Sequence, residues 1–373
     1  MDRPLKLVIV TTPLTEISEG FAKNFIKIIA QTGSSIRLIS GIRDKKYFCK
    51  YVEKYTDISY YARSKWQRLS GYIASQLITS KKCLSEDASL YIFFLSQTQL
   101  IPIFLIKIFK RKTPTVLFPG GSVHLSYKQR NVGLSIFFNI MERIGYCISD
   151  NIILYSKSQM CNWRLDRYSK KIAFAREHFI DANEFKIINS LSERGNTIGF
   201  VGRLSSEKGI LSFVEAAKAL VSERNDIHII IAGSGEIESQ IRNQIKPEYL
   251  GKFEFCGWVP RSEIPKLLNR IRILVIPSYT EGLPNVMLEA MACGTLVIAT
   301  SVGTIPDIIK DGETGFILKD NSPKTIKEGI SRAIEHKNQC AIVEKSLSII
   351  NNNFSFDESV RLWVETLALL KRG

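Results

Sequence analysis

Pro277-Ser-Tyr-Thr-Glu-Gly-Leu-Pro-Asn-Val-Met-Leu-Glu-Ala-Met-Ala-Cys-Gly294 is the stretch around which this 373-residue chain is organised. It follows Ile273-Leu-Val-Ile276, an apolar, β-branched run of the kind a buried parallel strand needs. Gly282 and Pro284 break the polar turn that comes next. Asn285 to Cys293 then reads as a helix stopped by Gly294. A strand, a turn and a helix start offer unbonded backbone N–H groups and a partial positive charge, which suit a phosphate. Two carboxylates bracket that point. Glu281 lies in the turn, and Glu289 lies one helical turn beyond Asn285 on the same helix face. Met287, Leu288 and Met291 fall on other faces and read as core. The competing reading is an ordinary crossover with two surface glutamates; the pair in this setting favours a ligand.

Three further junctions repeat the pattern. Gly199-Phe-Val-Gly-Arg-Leu-Ser-Ser-Glu-Lys-Gly209 runs from strand to helix start and carries Arg203 and Lys208, a guanidinium and an ammonium suited to a diphosphate. Ala232-Gly-Ser-Gly-Glu236 follows a strand, and its glycines admit close approach by a ligand. Gly257-Trp-Val-Pro260 is a turn that either borders a base or is only a turn.

The spacing predicts strands at Leu5–Thr11, Ser35–Ser40, Leu90–Leu95, Thr115–Phe118 and Asn151–Tyr155. A second series follows at Ile198–Val201, Ile227–Ala232, Phe253–Cys256, Ile273–Ile276 and Leu296–Ala299. Helices fall between most of them: Phe21–Gln31, Gln99–Lys110 and Leu134–Tyr146 in the first series. Residues 41–85 are aromatic and basic, and read as helices with irregular connections. Alternation of this length indicates two open, doubly wound α/β domains. Ile180–Phe185 and Asn189–Asn196 are polar and aperiodic, so the domains are set at 1–185 and 196–355. A final helix, 356–373, carries Val360, Trp363, Leu367 and Leu370 on one stripe and is expected to pack back towards the first domain. Gly20 is placed at the start of the first helix, where a ligand can approach the backbone.

Residues 1–190 hold 29 Lys+Arg against 14 Asp+Glu, and residues 191–373 hold 22 of each, so the formal charge of +15 lies wholly in the first half. One side of the protein therefore favours an anionic partner, nucleic acid or an acidic membrane surface. Gln99-Leu-Ile-Pro-Ile-Phe-Leu-Ile-Lys-Ile-Phe-Lys-Arg-Lys112 mixes bulky apolar residues with four cations, which favours the membrane; a buried crossover helix with a basic end is the alternative. No helix-turn-helix, RNA-binding or zinc signature argues for nucleic acid. The opening Met1–Val10 is too short an apolar run for a signal peptide, and no run is long enough to span a bilayer. Seven scattered Cys without a C-x-x-C pair read as reduced thiols, and the expected location is the cytoplasm, peripheral on the inner face of the membrane.

In order, Gly-Arg…Lys-Gly, Gly-Ser-Gly, Gly-Trp-Val-Pro and Glu-x7-Glu resemble the retaining glycosyltransferases of family 4, through the whole second domain. The resemblance implies a GT-B fold: two Rossmann-like domains facing across a cleft, with the nucleotide-sugar donor on the second and the acceptor on the first. It places Arg203 and Lys208 on the diphosphate, Glu289 on the ribose, and Glu281 with the amides after Gly282 on the donor sugar. It adds Gly202, Gly233, Val259, Leu283, Pro284 and Asn285 as donor contacts. The first domain matches more loosely. Of two glycines usual near its first helix only Gly20 is present, and Pro119 stands where a His is common. His124 is the nearest substitute, with Ser122 beside it. No Asp-x-Asp is present, so neither a metal nor another cofactor is expected, and the cations and helix amides would neutralise the diphosphate. UDP-sugars are expected before GDP-sugars, with a lipid-linked or cell-surface glycan as acceptor. The acceptor hydroxyl would attack on the face the nucleotide leaves, with a diphosphate oxygen as base. The alternatives are an inactive sugar-nucleotide-binding subunit, a GT-B epimerase, or a phosphorylase dependent on pyridoxal phosphate.

Overall fold

The computed structural model describes residues 4–14, 16–42, 44–58, 65–128, 131–245 and 247–372. They form two units: one runs to Phe179 and resumes at Phe356, and the other is Ile180–Ser355. Part of the basic 41–85 segment, residues 43 and 59–64, lies outside the described residues.

The first unit is built on seven parallel strands: β1 (Lys6–Val10), β2 (Ser35–Ser40), β3 (Lys54–Asp57), β4 (Leu90–Phe94), β5 (Thr115–Phe118), β6 (Asn151–Leu154) and β7 (Ile172–Phe174). Their order is β3-β2-β1-β4-β5-β6-β7. Its helices are α1 (Glu16–Ala30), α2 (Lys45–Phe48), α3 (Lys65–Ser85), α4 (Leu100–Phe109), α5 (Val123–Tyr127), α6 (Val132–Ile148) and α7 (Lys157–Asn162). Every residue of β4 and β5 is buried, as expected for a sheet covered on both faces. The expected Gly20 position is corrected: α1 begins at Glu16, so Gly20 is exposed in its second turn and not at the helix start. An internal Gly costs a helix about 1 kcal/mol. Burial of Ala22, Phe25, Ile26, Ile28 and Ile29 on the same helix outweighs it.

The second unit repeats the plan with β8 (Asn196–Val201), α8 (Ile210–Glu223), β9 (Ile227–Ala232), α9 (Glu238–Asn243), β10 (Phe253–Gly257), α10 (Ile264–Arg270), β11 (Ile273–Ile276), α11 (Asn285–Ala292), β12 (Leu296–Thr300), α12 (Ile305–Ile308), β13 (Phe316–Leu318), α13 (Pro323–Glu335) and α14 (Gln339–Asn353). The sheet is parallel with order β10-β9-β8-β11-β12-β13. Both units are doubly wound α/β sheets that turn back at their first strand, as the expected GT-B fold requires of each. The last helix, α15 (Phe356–Arg372), returns to the first unit. Trp363 is fully buried there, its ring 4.9 Å from Phe25 and 5.5 Å from Phe118, and its indole N–H donates to the Arg176 carbonyl at 2.8 Å.

Behind that cluster, just after β7, Glu177 is fully buried. Its Oε1 accepts from the Tyr155 hydroxyl at 2.7 Å. Burial pushes its pKa up to about 7, against the hydrogen bond from Tyr155 that pulls it down. The folded pKa is above the unfolded one, so the folded state binds the extra proton between pH ~4.5 and ~7. Stability from this group is complete below that window and falls across it by about 1.4 kcal/mol per pH unit. Urea midpoints measured across the window should therefore fall with rising pH more steeply in wild type than in Glu177→Gln. Parallel curves would show that Glu177 ionises normally.

Candidate functional site

In the second unit the chain turns back at β8: β9 and β10 lie to one side, β11 and β12 to the other. Loops leaving β8 and β11 therefore diverge from neighbouring strand ends, the position where open α/β sheets bind ligands. Gly202–Gly209 leaves β8, and Pro277–Pro284 leaves β11. The Tyr279 N–H donates to the Glu207 carbonyl at 2.9 Å and joins the two. Gly209 starts α8 at φ +71°, where a Cβ would come within 2.0 Å of the Pro277 carbonyl oxygen, so only glycine allows this approach.

Lys208 and Glu281, 73 residues apart, meet across the two loops. The Lys208 ammonium lies 2.7 and 2.8 Å from the two carboxylate oxygens, and Ser278 Oγ donates to Oε1 at 2.7 Å. Arg203 holds Glu207 at 2.5 Å but leaves half of its side chain exposed. The loops after β9 and β10 are tied in by backbone bonds: Gly202 N–H to Ala232 O at 2.9 Å, Leu204 N–H to Ser234 O at 3.0 Å, and Gly233 N–H to Gly257 O at 2.7 Å. Gly202, Arg203, Gly233 and the turn containing Val259 thus form one contiguous rim. On the far side Thr304 clamps the Gly282 carbonyl through its N–H and hydroxyl, at 3.0 and 2.9 Å. Leu283 and Pro284 are buried and Asn285 is half-buried.

Asn285 opens α11, and Met287, Leu288 and Met291 are fully buried core. Glu289 is buried on the remaining face, 2.7 Å from Arg261. Burial raises its pKa, and the adjacent guanidinium opposes the rise. Arg261 also lies over the Phe185 ring, 5.2 Å from its centre. The sequence did not single out Arg261; its only signal was the adjacent Gly257–Pro260 turn.

The first-unit candidates lie elsewhere in the chain. Ser122 caps α5, accepting from Leu125 N–H at 3.3 Å and donating to Glu142 at 3.0 Å. His124 Nδ1 lies 2.8 Å from Ser135 Oγ and 2.9 Å from Ser135 O. Both line a cavity of about 300 Å³ with Glu142, Arg143 and Tyr146. Burial raises the Glu142 pKa. Among the described residues no three His, Cys, Asp or Glu side chains gather as metal ligands would.

The chain is similar to known proteins. A family model described as glycosyl transferases group 1 matches residues 181–353. An uncharacterized glycosyltransferase of Methanocaldococcus jannaschii is 29% identical over 43% of this chain and 44% of its own length. The capsular polysaccharide biosynthesis glycosyltransferase CapM of Staphylococcus aureus is 28% identical over 61% of this chain and 62% of its own. The chain thus spans less than two thirds of the length of these relatives. The structure of Anabaena HepE in complex with UDP and glucose superposes with TM-score 0.75 at 16% identity, covering 98% of this chain and all of that one; this likeness is one of fold.

Arg261→Ala leaves the Glu289 carboxylate buried without its cation, and should destabilise the second unit by about 1–3 kcal/mol. Because the Glu289 pKa is raised, the loss should grow as pH rises and shrink where the acid takes up a proton. Adding Glu289→Gln should recover part of it. Denaturant unfolding of the two single variants and the double variant checks all three outcomes.

Proposed function

We propose, from the match of residues 181–353 to the group 1 glycosyl transferases, that this protein transfers a sugar from a nucleotide-sugar to an acceptor hydroxyl. The observation that carries the reading is the Lys208–Glu281 pair beside the start of α11. In the proposed donor complex the diphosphate takes the charge of Lys208 and Arg203 together with the first N–H groups of α11. Charge that grows on the leaving diphosphate is then met by donors already in place. Once Lys208 turns to the phosphate, the Glu281 oxygens become free to accept hydrogen bonds from the donor sugar's hydroxyls. Glu289 accepts from the ribose, with Arg261 beside it opposing the effect of burial. The base lies against Val259 and the 257–260 turn.

We take UDP as the nucleotide, since the Anabaena neighbour is described with UDP and glucose; GDP is second. The transfer is read as retaining and metal-independent, with a diphosphate oxygen accepting the acceptor's proton. CapM's assignment to capsular polysaccharide biosynthesis favours a lipid-linked or cell-surface glycan acceptor. The basic first half is read as lying on the anionic inner face of the cytoplasmic membrane. No described helix is long and apolar enough to cross one.

UDP should raise the melting temperature more than GDP or ADP, and Lys208→Ala should reduce that shift. With turnover, Lys208→Ala should lower kcat/KM by about 10–100-fold, the value of a charge-assisted bond of about 1.5–3 kcal/mol. The product's anomeric proton should show the donor's configuration. Inversion would overturn the retaining reading, and no response to any nucleotide would overturn the donor site.

A further inference from the structure

Helix α6 leaves most of its apolar side in water. A surface helix ordinarily places its apolar stripe on the core and its polar side in water. Here Ser135, Glu142 and Tyr146 are buried, while Val132, Ile136, Phe137, Ile140 and Ile144 are 43–69% exposed. The buried side is anchored: the Glu142 carboxylate accepts from Ser122 Oγ at 3.0 Å and Val123 N–H at 2.6 Å, and Ser135 engages His124. The helix therefore cannot roll to hide its apolar side without stranding a buried carboxylate.

The exposed side does not stop at α6. Helix α4 packs beside it over the same face of the sheet, and α3 packs beside α4. The Gln99–Lys112 stretch sends Pro102, Ile103 and Ile106 inward and leaves Phe104, Ile108 and Phe109 exposed. On α3, Leu77 is 55% exposed. Outward faces of adjacent helices in one layer make a continuous apolar surface, on the order of several hundred Å² or more, at or above what soluble monomers expose.

Its edges are cationic. Arg111 and Lys112, just past α4, are exposed and have no carboxylate partner among the described residues. At the same end of the helix layer, where Lys107 pairs with Asp150, Lys171 donates to the Cys147 and Ser149 carbonyls closing α6, at 3.1 and 2.8 Å. Arg143 donates to the Trp163 and Arg164 carbonyls, at 2.9 and 2.8 Å. These cations bond to neutral carbonyls; the carboxylate that acts on Lys171, Asp150, is itself paired with Lys107. An apolar centre with positive edges complements an anionic bilayer, whose head groups take the cations while the acyl boundary takes the side chains.

We infer that the outward faces of α6 and α4 are the surface on which this protein docks to an anionic bilayer, with α6 in the plane of the interface and Phe137 and Ile140 inserted. The physical docking stands on the patch itself; its role, bringing the enzyme to a bilayer-held acceptor, rests on the glycosyl-transfer reading.

The test uses the full chain and vesicles of phosphatidylcholine containing about one third phosphatidylglycerol, against phosphatidylcholine alone, at low and high salt. Wild type should float with the anionic vesicles, and high salt should weaken this. Phe137→Trp should gain a blue-shifted emission component, absent from wild type, that brominated lipid quenches. The double variant Ile136→Glu with Ile140→Glu should lose binding by about tenfold or more while keeping its melting temperature and its UDP response. Leu369→Glu, exposed on α15, should bind as wild type. The inference is overturned if wild type ignores the vesicles, if the double variant binds equally well, or if the patch instead holds two copies together in a dimer that the double variant dissociates. An absent UDP response with intact vesicle binding would count against the donor reading alone.

Discussion

In a parallel sheet every strand ends on the same edge, so each polar strand-to-helix junction is delivered to that edge. The second unit depends on this constraint. Its connecting loops are short, its strands are sealed on both faces, and the turn-back at β8 separates the loops after β8 and β11. Lys208 and Glu281 meet there although 73 residues separate them. The backbone bonds from Gly202, Leu204 and Gly233 to the neighbouring loops tie the rim together.

The site is charge-balanced pair by pair. Arg203 faces Glu207, Lys208 faces Glu281, and Arg261 faces Glu289. Removing carboxylates this far from water is costly unless a cation accompanies them. Each pair therefore sets a cation beside a carboxylate at the edge of the sheet. Glu289 shows the competition most plainly: burial favours its neutral form, and Arg261 works against that. A diphosphate arriving at this rim would exchange one anionic partner for another, which costs less than desolvating free cations.

The first unit resolves a different conflict. Its sheet is covered on one face by α1 and α15, with Trp363 at the centre. On the other face α3, α4 and α6 supply the cover, α6 through Tyr146 and Ile148, while its Ser135 and Glu142 turn to α5. The Glu142 carboxylate and Ser122 hydroxyl hold it in that orientation and leave its apolar side outward.

Alternation of buried β-branched runs with helices was enough to read both domains' α/β class. Ser35–Ser40, Thr115–Phe118, Ile227–Ala232 and Ile273–Ile276 are strands at the boundaries the sequence implies, because strands covered on both faces are continuous apolar runs. β3, β7 and β13 were not legible: each is an edge strand of three or four residues with no length for a period. The Pro277–Gly294 stretch fixed its own strand, turn, helix and stop, since Gly294 at φ +70° and the breakers act locally. That Glu281 would be held by Lys208, and Glu289 by Arg261, arises from contacts 73 and 28 residues apart along the chain. Periodicity likewise announced an amphipathic helix at Leu134–Tyr146. It could not say which side faces the sheet, because that depends on where Ser122 and His124 stand in space, and only the packed tertiary structure decides it.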